Sequence, residues 1–118
     1  MKAESRKLET ADLSLLREGM KAVPQIGGTA GETFKNYPEI RDNVSGKTGT
    51  ANIGEQRDYF TVWFTGWNEK LTGNPDIPPL AFACMITHAH GSGKDTGGSA
   101  AAPVIAEMLR RLNGGNNE

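Results

Sequence analysis

The sequence is poor in cysteine, histidine and aromatics, and it has no long apolar run. Each shortage closes off a class of protein. The single cysteine, Cys84, has no partner for an internal disulfide. It lies in an apolar run and is expected to be a small buried hydrophobe. Two histidines, His88 and His90, share one face of a strand at their spacing, but no third histidine or second thiol completes a zinc set. They are expected to be solvated at a strand end, and no cofactor is expected. The net charge of −1 supplies no basic surface for nucleic acid or a membrane. No run approaches the ~18 apolar residues of a membrane span. The opening Met1-Lys2-Ala3-Glu4-Ser5-Arg6-Lys7 lacks the apolar core of a signal peptide. Two expectations follow: a cytoplasmic protein, or a piece of an exported one whose signal lies elsewhere.

What is present suits one domain of 118 residues. After a frayed lead-in, Asp12 is expected to cap a helix running to about Val23. Its Leu13, Leu16, Met20 and Val23 recur at helical spacing. Pro24 stops it, and 25–28 reads as a turn. A short helix is expected over 29–36, ended by Tyr37-Pro38 because a residue before proline avoids helix. Three strands follow, at about 43–51, 59–67 and 80–88. The link at 54–57 is hairpin-like, and 68–79 is a loop rich in proline and glycine. With no crossover helix, an antiparallel meander is the simplest pairing. A Gly/Ser loop at 91–98 leads to a last helix from about Ala100, with Ser99 as its expected cap and Pro103 in its first turn. Val104, Ile105, Met108, Leu109 and Leu112 are expected to form its apolar face, with Arg110 and Arg111 at the negative end of the helix dipole. The tail 113–118 is expected to be disordered. The fold class is thus α+β: a three-stranded antiparallel meander packed with N- and C-terminal helices.

Both parities of the later strands are largely apolar. Phe60, Val62 and Phe64 alternate with Tyr59, Trp63 and Trp67; Leu80, Phe82, Cys84 and Ile86 alternate with Ala81, Ala83 and Met85. Such strands call for cover on both faces. Two good helices supply little, so one face is expected to lie open for material outside this chain.

The most specific stretch is Val44-Ser45-Gly46-Lys47-Thr48-Gly49-Thr50-Ala51. A structural strand has little use for such residues, since glycine costs backbone entropy and lysine resists burial. Gly46-Lys47-Thr48 matches the end of a phosphate-loop signature, but Arg41 stands where that loop needs its first glycine. On a strand, Thr48 and Thr50 share one face and Lys47 and Gly49 the other. Two hydroxyls in register can grip a carboxylate, and Lys47 adds a positive field. Gly49 clears space for a ligand backbone. An edge strand accepts an extended peptide through its free N–H and C=O groups, and such an N–H can stabilise an oxyanion. An ordinary hairpin strand with a bulge is the competing interpretation.

This run resembles the K-T-G box of the penicillin-binding family of serine acyl-transferases, whose other boxes are S-x-x-K and S-x-N. The likeness extends to Glu18-Gly19-Met20, Gly28-Thr29-Ala30, Asp58, Trp63-Phe64-Thr65-Gly66-Trp67 and Gly97-Gly98-Ser99-Ala100-Ala101-Ala102-Pro103, covering most of residues 10–112. It implies a fragment of the β-lactamase/transpeptidase-like fold. Residues 43–88 would be the last three strands of a five-stranded sheet, with the K-T-G strand at its edge. The other two strands and a helical subdomain carrying the serine would precede residue 1. It implies that Lys47 tunes the serine network and that Thr48 and Thr50 hold the carboxylate of a peptidoglycan stem peptide ending in D-Ala-D-Ala, or of a β-lactam. Gly49 lies between them, and the Thr50 N–H would be one oxyanion donor. It also implies a periplasmic or otherwise extracytoplasmic location, membrane-anchored in the full-length protein.

The chain departs from the family where the nucleophile should be. Three positions after Ser5, Ser14, Ser45, Ser92 and Ser99 stand Leu8, Arg17, Thr48, Asp95 and Ala102, none of them lysine. Two positions after them stand Lys7, Leu16, Lys47, Lys94 and Ala101, none of them asparagine. The expectation is therefore the C-terminal part of a D,D-transpeptidase domain: one wall of a cleft, inactive alone, with the rest of the domain as its partner. The alternative is a non-catalytic module that binds peptides or self-associates.

Overall fold

The computed structural model describes residues 5–52, 59–90 and 96–114, without the side chains of Tyr59, His88, Ala89 and His90. The expected link at 54–57, Asp58, most of the 91–98 loop, the tail beyond 114 and the histidine side chains lie outside this range. The architecture is α+β: three antiparallel strands in a meander of order β1-β2-β3, with helices before and after them.

Helix α1 spans Thr10–Ala22 and starts earlier than expected. Glu9, not Asp12, is the N-cap residue, and it makes no side-chain capping bond. Asp12 sits in the first turn, where a carboxylate favours the positive end of the helix dipole. The expected apolar face does not become core. α1 buries none of its residues, and Leu13 and Leu16 are 37% and 54% exposed. Only Val23, just past the helix, packs against the core.

Pro24 then begins a tight reversal tied by Gly28 N–H to Gln25 C=O (2.8 Å) and Ala30 N–H to Val23 C=O (3.0 Å). A Cβ at Gly28 would stand 2.3 Å from the carbonyl oxygens of both Ala22 and Val23, so only glycine fits. The second helix, α2, is one turn, Gly31–Phe34, shorter than expected. A further turn, α3 at Pro38–Arg41, was not expected. Tyr37 does leave helical geometry, as a residue before proline should, but Pro38 then starts a new turn in which its missing N–H costs nothing. These two turns bury Phe34 and Ile40.

Strands β1 (Val44–Asn52), β2 (Tyr59–Asn68) and β3 (Leu80–His90) fall close to their expected positions. The register pairs Val44 with Asn68, Thr48 with Phe64 and Thr50 with Val62. Across β2 and β3, Phe64 faces Cys84 and Asn68 faces Leu80, with a shift between Phe60 and Val62. The loop between them is irregular but buries Leu71 completely.

One sheet face carries the core. Val44, Val62 and Phe64 pack with Phe34, Ile40, Leu71, Ile105, Ala106 and Leu109. Phe64 joins two layers, with ring centroids 5.9 Å from Phe34 and 5.4 Å from Phe82. Burying a ring of this size stabilises by roughly 1.5–3 kcal/mol. The other face is open over β2 and β3, where Trp63 is 38% and Met85 50% exposed and Ala81 and Ala83 are exposed beside them, while α1 lies near its β1 end, where Ser45 is buried. Cys84 is half-buried rather than fully buried, and desolvation still pushes its thiol pKa up.

The closing helix also corrects two expectations. Thr96, not Ser99, is the cap. The Thr96 hydroxyl accepts from Ser99 N–H (3.1 Å), and the Ser99 hydroxyl accepts from Thr96 N–H (2.7 Å). This reciprocal box opens a π-helical turn, Gly97–Ala101, which runs into α4, Ala102–Leu112. Pro103 is in the first turn of α4, as expected. The buried face is Ala102, Ile105, Ala106 and Leu109, while Val104 and Met108 turn outward at 53% and 39% exposure. Small Ala102 and Ala106 thus share the buried face with the larger Ile105 and Leu109. Arg110 and Arg111 both pair with Glu107, at 2.6 and 3.1 Å.

Candidate functional site

Burial along β1 runs out part-way. Val44, Ser45 and Gly46 are buried, Thr48 and Gly49 are half-buried, and Lys47 and Thr50 are exposed. Residues 47–50 are thus extended and open. β1 is an outer strand, paired only with β2 among the described residues, so it presents an unpaired edge. The period of two puts Thr48 and Thr50 on the Phe64–Val62 parity, and Lys47 and Gly49 opposite Thr65 and Trp63.

The fold brings Lys47 and Thr48 together. The Lys47 ammonium donates to the Thr48 carbonyl oxygen at 2.6 Å and makes no ion pair with a described carboxylate. Lys47 is exposed, and it shares the lining of one concavity with Asp12. Thr48 Oγ1 donates to Thr29 Oγ1 at 2.8 Å. Thr50 stands at the exposed end of the strand, paired across the sheet with Val62.

Two of the nearby glycines differ in what they do for the fold. A Cβ on Gly46 would stand 2.7 Å from the Phe64 ring, so packing demands glycine there. A Cβ on Gly49 would meet only Trp63 Cβ, at 3.6 Å, an ordinary contact. Packing among the described residues does not require a bare backbone at Gly49.

Two concavities flank this edge. One, of about 680 Å³, lies beneath α1 between Leu15, Leu16, Met20 and Val23, and opens at Lys47 and Thr29. The other, of about 500 Å³, is walled by Thr29, Thr33, Tyr37, Thr96, Gly98 and Ser99 and is rich in hydroxyls. Thr29 belongs to both. The sequence drew attention to Gly28-Thr29-Ala30 only as a string of likeness and gave Thr29 no role. The available signal was Gly28 itself, whose tight turn aims the next residue at β1. Among the described residues no cluster of three metal-ligating side chains occurs.

Comparison with known families then decides the relationship. The penicillin-binding protein transpeptidase domain matches residues 2–110, almost the whole chain. The chain belongs to that family. No curated protein and no solved structure matches it. The three-stranded meander with its helices is compatible with a fragment of the transpeptidase fold, and the family is one of acyl-transferring enzymes. Penicillin-binding transpeptidase domains are extracytoplasmic, and no described helix here is long and apolar enough to cross a membrane.

Proposed function

We propose that this chain supplies the carboxylate-gripping wall of a peptidoglycan D,D-transpeptidase. The observation that carries the reading is the open edge of β1, where Lys47, Thr48 and Thr50 stand around the bare backbone of Gly49. An extended peptide laid along this edge gains main-chain hydrogen bonds, and its terminal carboxylate falls among two hydroxyls and an ammonium. The Thr50 N–H serves as one oxyanion donor. In the complete enzyme a serine attacks the D-Ala-D-Ala carbonyl and expels the terminal D-alanine. The acyl-enzyme then passes its acyl group to an amine. Lys47 tunes the field around that serine.

No serine of this chain stands in an S-x-x-K arrangement, so the nucleophile comes from the rest of the transpeptidase domain. The isolated chain is expected to bind but not to react. Incubation with a fluorescent penicillin should leave it unlabelled, while a protein that also carries the S-x-x-K segment should be labelled. Stable covalent labelling of this chain alone would overturn the missing-nucleophile reading. Membrane anchoring, in this view, is likewise supplied by the rest of the full-length protein.

A second reading is favoured by the open sheet face at Trp63 and Met85 and by the uncovered leucines of α1. There the chain is a non-catalytic module that binds peptide ends or pairs with itself. Light scattering tests its self-pairing form: a stable dimer supports it, and a well-folded monomer counts against it.

A further inference from the structure

Thr29 is the residue that sequence reasoning left without a task, and its surroundings are unusually fixed for an exposed side chain. Its hydroxyl oxygen lies 2.8 Å from that of Thr48. Its main chain is clamped from two sides. A Cβ on Gly98 would stand 1.9 Å from the Thr29 carbonyl oxygen, so the π-turn lies directly against it. On the other side, Ala30 is buried and its N–H bonds back to the Val23 carbonyl oxygen at 3.0 Å. The Thr33 hydroxyl donates to the Gly98 carbonyl oxygen at 2.9 Å and ties the π-turn to α2. Thr29 is thus held by backbone packing rather than by its own hydroxyl, which is left to engage Thr48.

A threonine hydroxyl has one proton to donate and lone pairs to accept with. In the free chain the two hydroxyls share one hydrogen bond, which either of them can donate. To grip a carboxylate Thr48 must turn its proton toward the ligand. The contact is then kept with Thr29 donating to Thr48 while Thr48 donates to the carboxylate. The pair can do this without separating the two oxygens, so the Thr48 side chain keeps its rotamer and loses no hydrogen bond when ligand arrives.

We propose that Thr29 is the positioning residue for the carboxylate-binding hydroxyl of Thr48, acting by this reversible hydroxyl pair. The proposal rests on the reading of β1 as the carboxylate-binding edge. Thr29 does not touch the ligand; it sets where the Thr48 oxygen stands and makes good its hydrogen bond in both states.

The test is a double-mutant cycle on the 118-residue chain, titrated with N-acetyl-D-Ala-D-Ala and, as control, its C-terminal amide. Thr29→Val should weaken carboxylate binding about fivefold, in line with one neutral hydrogen bond. Thr29→Ser should restore it, and Thr29→Ala provides a second removal of the hydroxyl. In a Thr48→Val background the Thr29 changes should have no further effect. Binding of the amide should be insensitive to all of them. Three-bond couplings of ligand-free Thr48 should report one χ1 rotamer in the parent and averaging in Thr29→Val, a readout that general destabilisation does not mimic. If the parent chain does not discriminate the acid from the amide, the reading of the edge fails and the proposal falls with it. If the parent discriminates and Thr48→Val abolishes this, but Thr29→Val is silent or additive, the positioning role alone is overturned.

Discussion

Gly97 lies against the backbone of Gly49: a Cβ on Gly97 would stand 2.9 Å from the Gly49 nitrogen and 2.2 Å from the Trp63 carbonyl oxygen. The π-turn therefore rests on the strand that carries the site, and the two glycines should respond oppositely to alanine. Gly97→Ala forces backbone apart and should cost roughly 1–3 kcal/mol in urea unfolding, as overpacking does. Gly49→Ala meets only ordinary contact and should leave stability within about 0.5 kcal/mol. It should nevertheless weaken binding of a D-Ala-D-Ala peptide, because the added methyl stands on the edge backbone. Equal loss of stability in both variants would refute this division of roles.

Phe64 should be the most sensitive side chain of the sheet. It is fully buried, touches Phe34 and Phe82 and fills the space that Gly46 leaves open. Phe64→Ala should cost about 3–5 kcal/mol, the usual range for emptying an aromatic core site. Its neighbour Trp63 points to the open face at 38% exposure. Trp63→Ala should cost clearly less, despite the larger ring removed. Chemical denaturation of the two variants under one condition decides it.

That pair also marks how far the sequence could be followed. The alternation of Phe60, Val62 and Phe64 with Trp63 and Trp67 was enough to place the strand, while its antiparallel pairing followed from the lack of a crossover helix and the edge position of β1 from the family resemblance. It did not tell which parity faces the helices, because both are apolar. The deciding information is non-local: Phe34 and Ile40 come from two one-turn helices too short to show a period. The α4 face was read in part: Ile105 and Leu109 are buried and Leu112 packs on the core as spacing suggested, but Ala102 and Ala106 fill the places expected of Val104 and Met108. Lys47 to Thr50 stood out as candidates because their residue types are wrong for a structural strand. Thr29 was not, because its contact with Thr48 spans 19 positions and depends on a reversal held by Gly28.

Helix α1 should contribute little to the stability of this chain through its leucines. Leu15 is 68% exposed and Leu16 54%, and the helix buries none of its residues. Leu15→Ala and Leu16→Ala should each shift unfolding by less than about 0.5 kcal/mol, the range of ordinary surface changes. A loss of 2 kcal/mol or so, typical of a buried leucine, would mean that these side chains are covered in solution, by a second copy if the loss depends on protein concentration.

The last prediction concerns acid. Glu107 accepts from Arg110 and Arg111, and these hydrogen bonds hold its pKa down at about 2, against an ordinary glutamate value of 4.5. Tyr37 Oη donates to the same carboxylate at 3.3 Å, and burial together with this negative charge raises the tyrosine pKa. The folded chain thus binds the Glu107 proton more weakly than the unfolded chain does. The stabilisation is fully present above the unfolded value and is lost as pH falls through the folded one. The difference in urea midpoint between the parent chain and Glu107→Gln should be constant from neutrality to about pH 5. It should shrink between about pH 4.5 and 2, since other carboxylates, Asp42 among them, titrate in both proteins and cancel. A gap that survives unchanged at pH 2 would mean that the Glu107 charge is not what anchors this end of α4.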